Sequence, residues 1–588
     1  MNKADLARKI QALEGLSNEE KTSLLELVRG HKKYGLVWED KPEDIEERLR
    51  KDLPVLVERN DDKVHPIISD NPDAPNHLII EGDNLAALTE LSYTHAGKVD
   101  VIYIDPPYNT GNKDFIYNDT FVDSEDSYRH SKWLSFIAKR LLIAKKLLSA
   151  RGVIFISIDD NEQANLKLLC DEIFGENNLI SNLIWKRKRG RDNSARWFSK
   201  AHEYCLIYAL HRDNVNLNLL PLDEETKKAY RNPDNDSRGP YRMLGCWARG
   251  TQGGVRYDFT SKDGIFFSER LWLFSKENLR KLDQENKLIF RGDNIYRKMF
   301  LFENKGKVPE SLWDDTSNAA NASDEIKGIF SSKIVFDTPK PVPYIKRMLY
   351  LSTNSRAIVL DFFAGSGTTL HAVMQLNAED GGNRTCILCT NNENGICENV
   401  TYERNKRVIE GYTKPNGEEV AGLTDNNLRY YRTEFLPRER SVKNMRELVH
   451  ASTGLLCIKN DLYTEAPFGG RKMNPKYARY FENNGKRMLV IYEEQAIPFI
   501  ADIIKTMPEG EKIKVYVFSH GSYAYEDEFA EVLDRVRLCA LPQAIYDAYQ
   551  KVLPKRKPKF LVDELVEEIV EVDQHETEGL FSFDNEKG

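Results

Sequence analysis

The stretch AIVLDFFAGSGTTLHAVMQLNA, residues 357–378, reads as strand, glycine turn and helix. AIVLDFF (357–363) is a short apolar run of the kind expected in a strand covered on both faces, and TTLHAVMQLNA (368–378) has helical period. Gly365 and Gly367 permit backbone angles closed to other residues and let a ligand approach the main chain. On its own such a pair is a weak signal, because a tight turn in any α/β protein uses the same residues. The flanking sequence continues the alternation: KPVPYIKRMLYLS (340–352) reads as a helix, RTCILCT (384–390) as a strand and VTYERNKRVIEGY (400–412) as a helix.

Residues 77–210 repeat the pattern. HLIIEG (77–82), VDVIYID (99–105) and GVIFISID (152–159) are apolar strands, followed in turn by helices over 84–93, 127–149 and 162–175. NLIWKR (182–187) and HEYCLIYAL (202–210) add two strands. Repeated β-α-β units with apolar strands predict an α/β fold with a mostly parallel sheet covered on both faces. From about 211 to 335 the periods become irregular and Asn, Asp, Gly and aromatics accumulate, the mark of an inserted domain. Residues 1–60 are expected to form an N-terminal helical segment, with Ser17 and Glu20 as a capping box. Beyond 425 a separate region carries two further strands, RMLVIYEE (487–494) and KIKVYVFS (512–519).

A chain of 588 residues exceeds one hydrophobic core and calls for about two to four domains. It has no run of about 18 uncharged apolar residues and no apolar leader, so no membrane association and a cytoplasmic location are expected. Eight scattered cysteines suit a reducing compartment. Cys386, Cys389 and Cys397 have partial zinc spacing but lie in or near an apolar strand without a histidine at ligand distance, so no metal is expected. The net charge of −8 weighs against a nucleic-acid partner, yet the average hides segregation. Residues 186–200, KRKRGRDNSARWFSK, hold seven Lys/Arg against one Asp, beside Trp185 and Trp197, and the tail after Phe560 is acidic. Lys186, Arg187, Lys188, Arg189, Arg191 and Arg196 are therefore candidate phosphate contacts.

The second chemical signal is Asp105-Pro106-Pro107-Tyr108-Asn109, at the carboxyl end of VDVIYID. Two prolines cannot extend a central strand and fix a rigid turn instead. The turn presents a carboxylate, a carbonyl and an aromatic face. That trio suits an extruded base, with acceptors for an amino group and a ring to stack on it.

DPPYN and the later FAGSGTT resemble motifs IV and I of amino-group DNA methyltransferases, in the permuted order of the β class. With EGDN (81–84) and DPPYNTGNKDFIYNDTF (105–121), the text is similar to the Mod subunits of type III restriction-modification systems. The resemblance implies a permuted Rossmann-like core that uses S-adenosylmethionine and methylates N6 of a flipped-out adenine in double-stranded DNA. It divides the core into a catalytic half (61–210) and a cofactor half (336–424), with a target-recognition domain at 186–335 and a C-terminal accessory or assembly domain at 425–588. Asp105, Pro106, Pro107 and Tyr108 would be catalytic. Asp83, Asn84, Asp105, Lys340, Pro341, Asp361, Phe363, Gly365, Gly367 and Thr368 would line the cofactor, Asp83 at its adenine and Lys340-Pro341 closing the pocket. The usual ribose-binding acid after RTCILCT is missing; Asn391 or Glu393 would take its place. Arg249, Gln252, Arg256 and Asn321 are candidate base readers. A restriction subunit and a second copy of the chain are the implied protein partners. Cytosine-N4 methylation, an orphan methyltransferase and a catalytically silent DNA-binding subunit are the rival readings.

Overall fold

Ten strands whose sequence order is thoroughly scrambled form the main sheet of the computed structural model, which describes residues 38–553 apart from 60–66, 70, 113, 119, 250, 252, 509 and 511. In chain order they are β1 (Asp52–Glu58), β2 (Asn76–Glu81), β3 (Val99–Ile104), β4 (Leu148–Ile158), β5 (Leu179–Lys186), β6 (His202–Ala209), β7 (Leu312–Trp313), β8 (Ile358–Asp361), β9 (Thr385–Thr390) and β10 (Asn427–Pro437). Across the sheet they run β1-β10-β2-β9-β8-β3-β4-β6-β5-β7. The stretch from β10 to β4 is parallel, while β1 and β6 are antiparallel to their inner neighbours. The helices that concern the site are α1 (Asp44–Lys51), α2 (Asn84–Thr94), α3 (Arg129–Leu147), α4 (Gln163–Phe174), α5 (Ala319–Ile329), α6 (Val342–Ser352), α7 (Thr368–Asp380) and α8 (Glu403–Glu410). α2, α3 and α4 pack side by side and α6 packs on α7, so two helical groups flank the sheet.

The central strands are apolar because they are covered on both faces: all but the first residue of β9, and all but Asp100 of β3, are buried. β8 pairs with β3 through Val359–Val101 and Leu360–Ile102. The chain leaves β8 for β9 on one side and leaves β3 for β4 on the other. The carboxyl ends of β8 and β3 thus border the point where strand order diverges, which is where an open α/β sheet forms a ligand crevice.

Three departures from the sequence reading have physical causes. Residues 52–58, expected as helix, are an edge strand on β10; Pro54 is tolerated there because an edge strand has only one neighbour to bond. The expected capping box at Ser17 and Glu20 lies outside the described residues. β10, placed by the sequence in a separate C-terminal region, is an interior strand of the main sheet between β1 and β2. The later part of that region has its own sheet, in the order Ala478–Asn483, Lys486–Ile491, Ile513–Phe518 and Val536–Leu541. Finally, the compact inserted unit is Asn216–Ser311, shorter than the expected 186–335. It holds a three-stranded sheet and a hairpin (Val255–Thr260 with Phe266–Trp272) around Cys246, Phe259, Phe267, Trp272, Leu279 and Ile295. The basic run 186–200, β7 and α5 belong to the larger unit.

Candidate active site

The glycine turn after β8 is held from inside and outside. Asp361 is buried, and its carboxylate accepts from the Phe363 amide at 3.0 Å and from the Thr369 hydroxyl at 2.6 Å, pinning both ends of the turn. Burial pushes its carboxyl up to about 7, only partly offset by those two donors. Gly365 and Gly367 have φ of 47° and 73°, in the left-handed region that side chains disfavour. A collar from α8 and the helical turn just before it (Cys397–Tyr402) grips the turn. The Thr401 hydroxyl donates to the Gly365 carbonyl (2.6 Å), Arg404 to the Thr368 hydroxyl (2.6 Å), and Asn405 to the Gly367 carbonyl (3.3 Å). A Cβ on Gly367 would stand 2.5 Å from the Asn405 amide nitrogen, and one on Gly365 would stand 3.0 Å from the Phe336 ring. The glycines are thus required first by the collar and by Phe336.

Asp83 caps α2, accepting from the Leu85 amide at 2.7 Å, and its second oxygen lies 3.4 Å from Arg140. Asn84 donates to the Phe362 carbonyl at 3.1 Å and accepts from Arg140, so the ends of β2 and β8 are tied together. Phe363 is half-buried beside Phe136. Asn391 is exposed on the loop after β9, while the neighbouring Asn392 accepts from the Cys397 and Glu398 amides. Glu393 is exposed on the same loop. Carboxylates and carbonyls at the strand ends suit a sulfonium cation, beside the Phe336 ring that lies against Gly365. The residues present fit S-adenosylmethionine.

Asp105 and Tyr108 leave β3 on the rigid Pro106-Pro107 turn, whose Pro107 carbonyl accepts from the Trp133 indole at 2.7 Å. Both are half-buried, and four charged or polar side chains meet there. The Lys340 ammonium donates to Asp105 Oδ2 at 2.6 Å and to the Tyr108 hydroxyl oxygen at 3.0 Å. The Tyr108 hydroxyl lies 2.9 Å from Asp105 Oδ1 and 3.1 Å from Glu203 Oε2. Arg187 pairs with Glu203 Oε1 at 2.6 Å. Burial opposes the charge on Lys340, but Asp105 and Glu203 outweigh it and hold the ammonium above its ordinary range. Burial, Asp105 and Glu203 push the Tyr108 hydroxyl well up. Lys340, expected to close the cofactor pocket, is therefore a direct partner of Asp105; Pro341 caps α6 beside it.

Sequence reasoning missed Glu203, Thr401, Arg404 and Asn405. A lone acid inside the apolar strand HEYCLIYAL was the available signal for Glu203. Polar residues at 401, 404 and 405, one helical face, were the signal for the collar.

The basic run forms the connection between β5 and β6. Lys186, Lys188, Arg189, Arg191 and Arg196 are exposed, with Trp197 and Phe198 at 80% and 92% exposure. Arg187 turns inward to Glu203. Trp185, grouped with the basic run as a sign of nucleic-acid contact, is buried instead, stacked on Tyr344 with its indole donating to the Ser317 carbonyl. Of the candidate base readers, Arg249 stacks on Trp247 and Arg256 lies 3.8 Å from Glu269, both within 216–311. Asn321 sits in the larger unit, where its side chain completes the cap of α5. Gln252 lies outside the described residues. Cys386, Cys389 and Cys397 are buried free thiols, and among the described residues no cluster of metal-ligating side chains occurs. Among the described residues no helix is long and apolar enough to cross a membrane.

Residues 99–414 match the DNA methylase family N6_N4_Mtase. The chain is 36% identical to the Mod subunit of the type III restriction-modification enzyme StyLTI of Salmonella typhimurium, over 81% of this chain and 76% of that one. It is 33% identical to the EcoPI Mod subunit of Escherichia phage P1, over 68% and 70%. It is 37% identical to the type II methyltransferase M.KpnI of Klebsiella pneumoniae, over 58% and 87%.

Proposed function

The chain belongs to the N6/N4 family of DNA methylases, and from that premise we propose that it methylates N6 of adenine in duplex DNA as the modification subunit of a type III restriction-modification system. The observation that carries the reading is the Asp105 carboxylate, held by Lys340 and Tyr108 at the end of β3, beside the glycine turn at the end of β8. Likeness to two type III Mod subunits supports the system, and Asp in the DPPY turn supports adenine over cytosine.

S-adenosylmethionine supplies an electrophilic methyl on a sulfonium when bound. Asp83, Asn84, Asp361, Phe363, Gly365, Gly367, Thr368 and Asn391 would hold it along the ends of β2, β8 and β9. The adenine N6 lone pair is delocalised into the ring and is a poor nucleophile. Asp105 and the Pro106 carbonyl accept the two N6 hydrogens and draw the nitrogen toward tetrahedral geometry, so that its lone pair aims at the methyl. Tyr108 stacks on the base. Reaching this pocket requires the base to leave the duplex, at a cost of a few kcal/mol. The unit 216–311 would read sequence, residues 440–553 would serve assembly with a second copy and a restriction subunit, and the reaction would take place in the cytoplasm.

The test is to incubate duplex DNA with the chain and labelled donor and to identify the modified nucleoside by mass. N6-methyladenine is expected; N4-methylcytosine overturns the base assignment. D105A should lose at least on the order of 10³-fold in transfer while keeping donor affinity, and full activity in that variant removes Asp105 from the chemistry.

A further inference from the structure

Methyl transfer to N6 leaves a proton to dispose of, and the site contains a route for it. We infer that Tyr108 and Glu203 form a proton outlet from Asp105 to the protein surface, with Glu203 as a positioning residue that receives the proton at a distance from the base. The inference rests on Asp105 as the N6 acceptor.

The geometry supplies each link. Tyr108 Oη bridges two carboxylates, 2.9 Å from Asp105 Oδ1 and 3.1 Å from Glu203 Oε2. A hydroxyl has one proton to give and two lone pairs, so it accepts from one neighbour while donating to another. Lys340 fills one lone pair at 3.0 Å and leaves the other for a protonated Asp105. Glu203 is itself buried, at 6% side-chain exposure, but its other oxygen meets Arg187, whose side chain is 39% exposed. The groups facing Glu203 are Asp105 and Tyr108 of the β3 turn, Asp159 after β4, Arg187 after β5, and Lys340 and Tyr344 at α6.

The step balances. The N6 lone pair forms the bond to the methyl carbon, the carbon–sulfur bond breaks, and its electron pair stays on sulfur as a neutral thioether. The methylated amino group carries the positive charge and is a far stronger acid than a carboxylic acid. One N6 proton passes to Asp105 Oδ1. Tyr108 accepts it while passing its own proton to Glu203 Oε2. Neutral N6-methyladenine, an ionised Asp105, an intact tyrosine and a protonated Glu203 result, and Glu203 returns its proton to water beside Arg187. Tyr108, whose hydroxyl is held far above neutrality, never has to exist as tyrosinate.

The test uses the full-length chain in single turnovers with labelled donor and duplex DNA. E203Q should slow transfer about 10²-fold, while calorimetric affinities for donor and DNA change by less than about twofold. Y108F keeps the ring and removes only the bridging oxygen; it should slow transfer to a similar degree. The double variant should be no slower than either single one, because both cut the same chain of bonds. Wild-type rate in E203Q overturns the inference, as do multiplying defects in the double variant or a loss of donor affinity that parallels the loss of rate. If E203Q fails to fold, Y108F decides alone: wild-type rate in Y108F overturns the inference. D105A separates the two levels: activity there removes the site itself, whereas activity in E203Q with none in D105A removes only the outlet.

Discussion

At the residue scale, Asp361 shows how a side chain can organise a turn at the expense of stability. Its carboxyl is raised to about 7 by burial, against an ordinary value near 4 in the unfolded chain. Between those values the folded state holds a proton that the unfolded state has released. Stability therefore falls as pH rises from about 4 to 7 and levels off above, by on the order of 4 kcal/mol. D361N keeps the acceptor for Phe363 and removes the charge. It should be more stable than the parent at pH 8, by chemical denaturation, and lose that advantage below about pH 5. An equal gap at both values would mean that Asp361 is ionised in the fold throughout. The residues at the ends of β3 and β8 were legible because proline and glycine punctuate sequence in only a few physical ways. Glu203 was not. One acid in an otherwise apolar strand looks like the solvent side of a half-buried strand, and its partners Tyr108 and Lys340 are far away along the chain.

At the scale of elements, the β5–β6 connection divides its cations between two tasks. Arg187 is committed to Glu203, while Lys188, Arg189, Arg191 and Arg196 are exposed, Arg196 over the likewise exposed Trp197 ring. Neutralising those four should weaken DNA binding for all sequences alike. It should also flatten the log–log salt dependence by about 0.9 for each phosphate that the loop no longer neutralises. Sequence choice and donor affinity without DNA should stay as they are. An unchanged salt slope would return the loop to the status of a solvated surface. R187A, in contrast, should act on the rate rather than on the slope. The β-α alternation was legible because it is written in local periodicity. β1 was misread because an apolar run beside a short amphipathic helix resembles more helix, and its partner β10 lies some 370 residues on. The β7–α5 segment was assigned to the insertion because Leu312–Trp313 and Ala319–Ile329 are too short to establish a period.

At the scale of the molecule, the unit 216–311 has its own core, and β7 returns the chain to β5 in the main sheet. Replacing 216–311 with a short glycine–serine linker should therefore leave a folded chain that binds donor but no longer prefers its target sequence. Retained preference would place sequence reading elsewhere. The permuted order also bears on synthesis. β3 pairs with β8, and 254 residues separate Ile104 from Ile358. At about 5–20 residues per second, the growing chain spends roughly 13–50 s with the hydrogen-bonding edge of this apolar strand uncovered. The half bearing Asp105 therefore leaves the ribosome as an unfinished sheet. The nascent protein has no enzymatic pocket until the second half arrives, and the interval is one in which a holdase chaperone, or another nascent copy, competes for that edge.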